Sequence, residues 1–471
     1  MEMRIYFVAA SIVLFLSACS ALRIDRPLQV ASGLTSHLVC SGTFITGLDP
    51  DRVYAETIRP MRGVGLFEWA LTYEVDRQHR QVTTSVAGAF TSRAVYRDGM
   101  GCLLLAQDEA NDGFDAKPIE PGAPEAAPPF GSHLPDIAGP AVVAASDGKL
   151  KAAVNRAFVE PQQPPFHNTK AVIVLRDGKI VAERYAEGYG TETRQPAWSI
   201  SKSVINALVG ILVKQRRLTL DAPAAVPAWA GADDPRRAIT IDHLLRQTSG
   251  LNFVQDNSGF DPDSHMKFIE RDMAGFADTA ELVVPPGSRW TYSDANFLRL
   301  SRMVRDASGG SAADVLRFAR RELFEPLGMR HVTLEFDAAG TPIGSTFMYA
   351  SARDWARFGL LYLNDGMVGE KRILPEGWVR YSSSPTLDTG YGAGFFTNLG
   401  TGNVPQWGVP WGMPKVPRDA FFARGYMGQY VVVVPSERLV VVRLGVSHVR
   451  GDDVESTERL VAAVVAALQG K

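Results

Sequence analysis

The sequence is poor in several features that mark common classes of protein. Its charges nearly cancel, because 49 Lys and Arg residues stand against 51 Asp and Glu residues, for a formal net charge of -2. No basic surface for nucleic acid is therefore expected. Its eight histidines show no His-Glu-x-x-His spacing, which argues against a zinc hydrolase. It also lacks the Gly-x-Ser-x-Gly turn that is typical of α/β-hydrolases.

Cysteine is scarce, with three residues in a chain of 471. Two of them, Cys40 and Cys102, lie within the N-terminal quarter of the chain. In an oxidising compartment such a lone pair more often forms a disulfide than remains as two free thiols. Two unrelated buried cysteines are the alternative. A metal site is not expected, because two thiols without a nearby His or Asp cluster supply too few ligands.

The N-terminal apolar run, Ile5 to Leu16, is too short to span a bilayer as a mature helix. The residues that end it, Leu16 to Cys19, resemble the bacterial lipoprotein box. The resemblance implies that residues 1–18 are a signal peptide and that a lipid on Cys19 anchors the protein to a membrane. With Ser20 next to that cysteine, it implies the outer membrane of a bacterial cell envelope, facing the periplasm. A plain signal peptide or a short anchor is the alternative.

The length favours a main domain with an accessory region, because 471 residues exceed what one compact core usually holds. Prolines, alanines and glycines are frequent in residues 117–165, which predicts a linker. Residues 19–116 then form the accessory region. Runs rich in β-branched residues, such as Gln81 to Phe90, predict that this region is small and contains β-structure. Residues 166–471 form the main domain.

Two hairpins bracket the main domain. The first has Asp177-Gly178 between two apolar runs, and the primed turns of hairpins favour this dipeptide because they need positive φ. The second joins Tyr430–Val434 to Leu439–Gly445 and precedes an apolar C-terminal helix. The residues between the hairpins, about 199–364, have mostly helical patterns. The sequence therefore predicts an α+β fold, in which helices flank one antiparallel sheet and a mainly helical subdomain lies beside it.

The chemistry of this domain centres on Ser199 and Lys202. The residues that follow are almost continuously apolar, which predicts a buried helix with Ser199 at its N-terminus. Backbone N–H groups and the helix dipole stabilise an oxyanion there, and Lys202 lies one turn later on the same face. Burial lowers the pKa of a lysine, so a neutral amine could accept the serine proton. A capping serine with a surface lysine is the alternative, since Ser146–Lys149 and Ser264–Lys267 match the same pattern.

Two later motifs carry further candidate residues. Tyr292 ends an extended segment just before a predicted helix, where a phenol can shuttle a proton or act as a base beside a cationic lysine. A core tyrosine is the alternative. The segment Tyr426 to Gln429 precedes the last hairpin, and its Gly428 lets a strand edge approach a ligand. A backbone N–H can then serve as an oxyanion donor, although a simple glycine bend is equally consistent with the residues.

In this order, the three motifs resemble the serine β-lactamase and penicillin-binding protein superfamily. The resemblance is to the class C β-lactamase, carboxylesterase and 6-aminohexanoate-dimer hydrolase branch, and Leu244–Leu251 is similar to the "LLxHTSGL" segment of that branch. It covers about residues 165–465. It implies that Ser199 is the acyl-enzyme nucleophile, Lys202 its activating partner and Tyr292 the catalytic tyrosine.

Two positions depart from the pattern of the family. Asp294 stands where the Tyr-x-Asn motif has its asparagine, and Tyr426 stands where Lys-Thr-Gly or His-x-Gly begins. With Gly428 these residues form the predicted substrate-binding set, and both changes should weaken the binding of a carboxylate-bearing ligand. The backbone N–H groups of Ser199 and Gln429 form the predicted oxyanion hole.

The sequence thus predicts a serine hydrolase that cleaves a small-molecule ester or amide through an acyl-enzyme on Ser199, without a metal or organic cofactor. One alternative is a β-lactamase or D-alanyl-D-alanine peptidase on the same fold. Another is a non-catalytic envelope lipoprotein that binds a ligand. Several aromatic residues could line the substrate cleft, although core positions are the alternative for them: Trp198, Trp290, Phe347, Tyr391, Phe395, Trp407 and Trp411.

Overall fold

A computed structural model describes residues 25–61, 63–105, 136–401, 411–448 and 451–469. The predicted signal peptide, Cys19 and Trp407 lie outside the described residues, as do residues 106–135, which contain the predicted boundary between the accessory region and the linker. Within the described ranges, none of the helices combines the length and the hydropathy needed to cross a bilayer.

The strands of the described residues form four antiparallel sheets, with orders β1-β2-β3-β4, β7-β9-β8, β10-β11 and β12-β13-β14-β15-β5-β6. In chain order the strands are β1 (Leu71–Asp76), β2 (Gln81–Val86), β3 (Phe90–Arg97), β4 (Gly101–Leu105), β5 (Thr169–Arg176), β6 (Lys179–Tyr185), β7 (Gln195–Pro196), β8 (Val332–Leu334), β9 (Met348–Ala350), β10 (Met367–Val368), β11 (Lys371–Arg372), β12 (Phe396–Thr397), β13 (Phe421–Gly425), β14 (Gln429–Val434) and β15 (Leu439–Gly445).

In the six-stranded sheet, strands from the two ends of the main domain pair with each other. Strand β15 pairs with β5, and Val441 lies opposite Val174 in this ladder. The prediction of one antiparallel sheet built from two terminal hairpins is confirmed. Helices and short strands occupy the chain between these two hairpins, so the α+β architecture is also as predicted.

Helices cover both faces of this sheet. On one face Gly359 of helix Ala352–Leu363 lies against Val440. On the other face, helix Asp452–Gln469 shares a buried core with Val441. Burial on both faces explains why β14 and β15 are nearly continuous valine runs instead of alternating apolar and polar residues.

The described α-helices are Asp25–Ser41, Pro50–Val53, Gly148–Arg156, Ile200–Lys214, Ile241–Leu245, Pro262–Phe268, Met273–Ala277, Asp294–Ser308, Ala312–Ala319, Glu325–Leu327, Ala352–Leu363, Trp378–Ser383 and Asp452–Gln469. Helix Ile200–Lys214 is the central one, and every residue from Ile200 to Leu212 is buried. A helix buried all round must present its polar groups at its ends. Its N-terminus is where the candidate site lies.

The accessory region is more than the predicted β-structure. Its four-stranded meander, β1 to β4, packs against helix Asp25–Ser41, which the sequence analysis did not predict. The buried face of this helix includes Ser32 and Ser36, which hydrogen-bond to the side chain and backbone of Ser92 in β3. Polar residues on the buried face hide the apolar period by which a helix is predicted from sequence.

A buried carboxylate joins the accessory region to the main domain. Glu335 accepts hydrogen bonds from Ser41 Oγ at 2.8 Å and from the Cys102 backbone N–H at 2.7 Å, and its Oε2 lies 2.7 Å from His37 Nε2. Cys40 and Cys102 form a disulfide between the helix and β4, as predicted. The accessory region is therefore packed into the same body as the main domain.

Candidate active site

Ser199 lies at the N-cap of helix Ile200–Lys214, but its side chain does not cap the helix. The residue before it, Trp198, has a φ of 48°, an uncommon conformation for a bulky side chain. Ser201 Oγ donates to the carbonyl of Trp198 at 2.6 Å and fixes this turn. The hydroxyl of Ser199 is thus available for other contacts, which disfavours the capping-serine alternative.

Lys202 points its amine at that hydroxyl. Its Nζ lies 2.9 Å from Ser199 Oγ, donates to the carbonyl of Ser345 at 2.8 Å and lies 2.5 Å from Asp294 Oδ1. The side chain is buried, and burial lowers the pKa of Lys202 against the opposing effect of Asp294. A surface lysine is therefore excluded, and the predicted Ser199–Lys202 contact is present.

Tyr292 reaches the same serine from another element. It is buried at the end of the segment before helix Asp294–Ser308, and its hydroxyl hydrogen-bonds with Ser199. Lys202 Nζ lies 4.8 Å from the centroid of its ring. Burial, with the nearby charge of Asp294, holds the pKa of Tyr292 well above its usual range. The phenol is therefore protonated in the resting site, which favours Lys202 over Tyr292 as the base.

The loop that carries Tyr292 is held by Gln247, which belongs to the Leu244–Leu251 segment. Gln247 Nε2 donates to the carbonyl of Ser293, and Gln247 Oε1 accepts from the Ser293 N–H, both at 3.1 Å. The Thr291 N–H also donates to the carbonyl of Gln247. Gln247 therefore fixes the backbone on both sides of Tyr292, through its side-chain amide at Ser293 and its backbone carbonyl at Thr291.

Asp294 is part of a cluster that the sequence analysis missed. Its Oδ1 faces Lys202, and its Oδ2 lies 3.0 Å from Lys267 Nζ. Lys267 in turn lies 2.6 Å from Asp263 Oδ2, one helical turn away on the same helix. Thr346 Oγ1 also donates to Asp294 Oδ2. The four-residue spacing of Asp263 and Lys267, within a segment that also matches Ser-x-x-Lys, is the signal that could have predicted this ion pair.

The segment from Gly425 to Gln429 lies directly against the turn before Ser199. Gly425 pairs with Gln429, and a β-carbon on Gly425 would overlap the carbonyl of Ala197. The Gln429 side chain donates to the carbonyl of Gly445 at 2.7 Å and accepts from the N–H of the same residue. The start of β14 is thereby fixed, although the oxyanion role of the Gln429 N–H stays a prediction.

Tyr426 and Gly428, the other two predicted substrate-binding residues besides Asp294, differ in their surroundings. Tyr426 is 37% exposed, and its ring meets that of Trp198 edge to face at 5.4 Å. It therefore supplies an aromatic surface where the family pattern has a cation. Gly428 has a φ of 85°, and a side chain there would collide with Arg443. Its small size is thus required by packing beneath the strand.

The predicted aromatic residues that the structure describes are all buried. The ring centroids of Trp290 and Tyr391 lie 6.2 Å and 6.0 Å from that of Tyr292, so both rings pack against the Tyr292 side chain. Among the described residues, no group of three or more His, Cys, Asp or Glu side chains is arranged to hold a metal ion.

Comparison with known proteins identifies the family. The β-lactamase family model matches residues 168–466, more than half of the chain. The 6-aminohexanoate-dimer hydrolase of Paenarthrobacter ureafaciens is 27% identical over 229 residues, which are 45% of this chain and 56% of that protein. Esterase EstB of Burkholderia gladioli is 32% identical over 186 residues, 34% of this chain and 45% of the esterase. The chain thus spans about half the length of these two relatives.

Solved structures agree at the level of the fold. A putative 6-aminohexanoate-dimer hydrolase from Bacillus anthracis has a TM-score of 0.54 and 20% identity, over 64% of this chain and 80% of that one. A penicillin-binding protein homologue from Caulobacter crescentus has a TM-score of 0.53 and 18% identity, over 71% of this chain and 100% of the other. The motif order, the fold and the family match agree, and the chain belongs to the β-lactamase family of hydrolases.

Proposed function

We propose that this protein is a serine hydrolase that cleaves an ester or an amide through an acyl-enzyme on Ser199. The observation that carries the proposal is the 2.9 Å contact between Lys202 Nζ and Ser199 Oγ at the start of a buried helix. A nucleophile, a buried amine beside it and a protonated phenol on the same hydroxyl can together serve as the nucleophile, base and acid of acyl transfer.

In acylation, Lys202 accepts the proton of Ser199 as Oγ bonds to the carbonyl carbon of the substrate. The backbone N–H groups of Ser199 and Gln429 donate to the oxyanion. Tyr292 gives its phenolic proton to the leaving alcohol or amine as that bond breaks, and the Lys202 ammonium returns a proton to the phenolate. In deacylation, Lys202 takes a proton from the attacking water and returns it to Ser199 Oγ.

The surroundings of Ser199 favour a substrate without a carboxylate at the Tyr426 end. An aromatic ring occupies this position and packs on Trp198, so it offers no charge to pair with an anion. The relatives named as an esterase and as a 6-aminohexanoate-dimer hydrolase support a hydrolase without deciding the bond type. We therefore propose an ester or amide of an uncharged small molecule as the substrate.

The test uses p-nitrophenyl butyrate turnover and labelling by a fluorophosphonate probe. Ser199→Ala should abolish both. Ser146→Ala is the matched control, because Ser146 and Lys149 form the same Ser-x-x-Lys pattern but are exposed on the surface. Nitrocefin turnover far above ester turnover would favour a β-lactamase instead. A wild type that is neither labelled nor active would favour a ligand-binding lipoprotein.

We also propose that the protein is exported and anchored through a lipid on Cys19. The disulfide between Cys40 and Cys102 supports this location, since such bonds persist in oxidising compartments. Metabolic labelling with a radioactive fatty acid should mark the wild type and leave Cys19→Ser unlabelled. Equal labelling of both proteins would contradict the proposal.

A further inference from the structure

Four charged side chains form a continuous buried chain behind Ser199. Lys202 contacts one oxygen of Asp294 at 2.5 Å, Lys267 contacts the other at 3.0 Å, and Lys267 also contacts Asp263 at 2.6 Å. Each of the four side chains is at most 7% exposed. Solvent therefore screens these charges poorly, and each group responds strongly to the protonation of its neighbours.

Asp294 alone would oppose the proposed role of Lys202. A buried carboxylate in contact with an amine favours the ammonium form, typically by about 1 to 3 pKa units. A general base must be free of its proton when the substrate binds. The asparagine of the family pattern would not cause this difficulty, because it carries no charge.

The partners of the two lysines are unequal. Lys267 faces two carboxylates, those of Asp263 and Asp294, whereas Lys202 shares only Asp294 and otherwise contacts neutral oxygens. Two ammonium groups on one carboxylate repel each other. The cluster therefore favours a state in which Lys267 keeps its proton and Lys202 gives its proton up.

The directions of the pKa shifts agree with this state. Burial opposes the charge of Lys267, but Asp263 and Asp294 outweigh it and hold the pKa of Lys267 above its usual range. Burial lowers the pKa of Lys202 despite Asp294. Burial also raises the pKa of Asp263, and the adjacent Lys267 ammonium opposes this shift, so the Asp263 carboxylate depends on Lys267 for its charge.

We propose that Lys267 is a positioning residue for catalysis, which neutralises Asp294 from its far side and so prevents that carboxylate from fixing Lys202 as an ammonium ion. The inference rests on the proposed function. The other groups that face the cluster are Tyr292 beside Lys202, Asp261 beside Asp263, and the neutral oxygens of Ser345 and Thr346.

The experiment measures kcat/KM for p-nitrophenyl butyrate against pH. In the wild type, activity rises with pH on the acidic side of this profile, here called the acidic limb. The midpoint of the acidic limb gives the pKa at which the general base of the free enzyme loses its proton. Lys267→Met leaves Asp294 to Lys202 alone, so this limb should move to higher pH by about 1 to 3 units, with activity recovering as the pH rises. Lys267→Arg keeps the positive charge and should keep the limb close to that of wild type.

Two further variants identify the route. Lys267→Met should move the limb less when Asp294 is already Asn, because the carboxylate that it neutralises is gone. Asp263→Asn checks the assignment, since an acidic limb that persists there cannot belong to Asp263. An equal loss of kcat/KM at every pH in Lys267→Met would indicate a merely structural role and overturn the proposal.

If Lys267→Met does not fold, Lys267→Gln decides the matter, because it can still hydrogen-bond to the two carboxyl groups but carries no charge. Its acidic limb should also move to higher pH, and an unmoved limb would overturn the proposal. Failure of the underlying function gives a different result, because the wild type would then neither turn over the ester nor be labelled on Ser199. That result would reject both proposals.

Discussion

Glu335 and Asp294 are two buried carboxylates with very different surroundings. Glu335 is contacted by Ser41, by the backbone of Cys102 and by the ring of His37, all from the accessory region. Asp294 is contacted by two lysines from two different helices. Both side chains are almost completely removed from solvent.

The difference lies in what the partners can do. Two of the three partners of Glu335, the Ser41 hydroxyl and the Cys102 backbone amide, keep their protons under all ordinary conditions, so these two hydrogen bonds act as a permanent connection whatever the state of the His37 ring. The amines around Asp294 can exchange protons, and each exchange changes the charge balance of the whole cluster. A buried carboxylate is therefore structural or functional according to its partners and not according to its depth.

The largest expected effect comes from replacing Lys202, whose amine contacts both Asp294 and Ser199. Lys202→Met should lower kcat by about 10² to 10⁴-fold, the usual contribution of a general base. Thermal unfolding should change little, because Asp294 keeps Lys267 as a counter-ion. Lys202→Arg is the matched control, since it keeps the charge but cannot release a proton. Activity near the wild-type level in either variant would contradict the role of Lys202.

The opposite result is expected at Glu335. Glu335→Ala leaves three buried groups without their acceptor and should lower the free energy of unfolding by about 3 to 5 kcal/mol. Denaturant unfolding measures this change, and the fraction that remains folded should keep its kcat. Glu335→Gln retains one acceptor oxygen and should lose less. A variant that unfolds normally but is inactive would place Glu335 in the catalytic group and remove the contrast.

Removal of the disulfide should destabilise the accessory region, which carries the partners of Glu335, by a smaller amount. Replacing Cys40 and Cys102 by Ser opens a crosslink between residues 62 positions apart and should cost about 2 to 4 kcal/mol of stability. Calorimetry of the wild type with and without a reducing agent gives the same comparison without mutation. Ester turnover at 25 °C should persist, and its loss would show that the accessory region acts on the chemistry itself.

The smallest effect concerns a charge that is exposed instead of buried. Tyr426→Lys restores the cation of the family pattern at a position that is 37% exposed, so stability should stay within about 0.5 kcal/mol. KM for a carboxylate-bearing ester should fall by about fivefold or less, the worth of an exposed ion pair, relative to an uncharged ester. Equal changes for both esters would indicate a packing effect.

Much of the fold was predictable because local patterns determined it. The Asp177-Gly178 turn, the valine runs of the last hairpin and the apolar helix after Ser199 each identify their structure from nearby residues. The approach of Lys202 to Ser199 follows from their spacing on one helix. Tyr292 could be assigned only from its resemblance to the family, and the catalytic roles of all three residues stay predictions.

The tertiary contacts were not predictable in this way. Nothing in the sequence near Lys267 indicates that its amine meets Asp294, because the two residues lie on different helices. The same holds for Glu335, whose partners lie about 230 to 300 positions earlier in the chain. Helix Asp25–Ser41 was missed for a local reason, namely the serines on its buried face.

The docking of helix Asp25–Ser41 has a consequence for the active site. Its Gly33 lies directly against the backbone of Phe268, the residue after Lys267. A β-carbon at position 33 would overlap the carbonyl of Phe268, so a larger residue there would require the helix that carries Asp263 and Lys267 to move. Under the proposed role of Lys267, such a change in packing would alter the pH dependence of activity from a residue that lies far from Ser199.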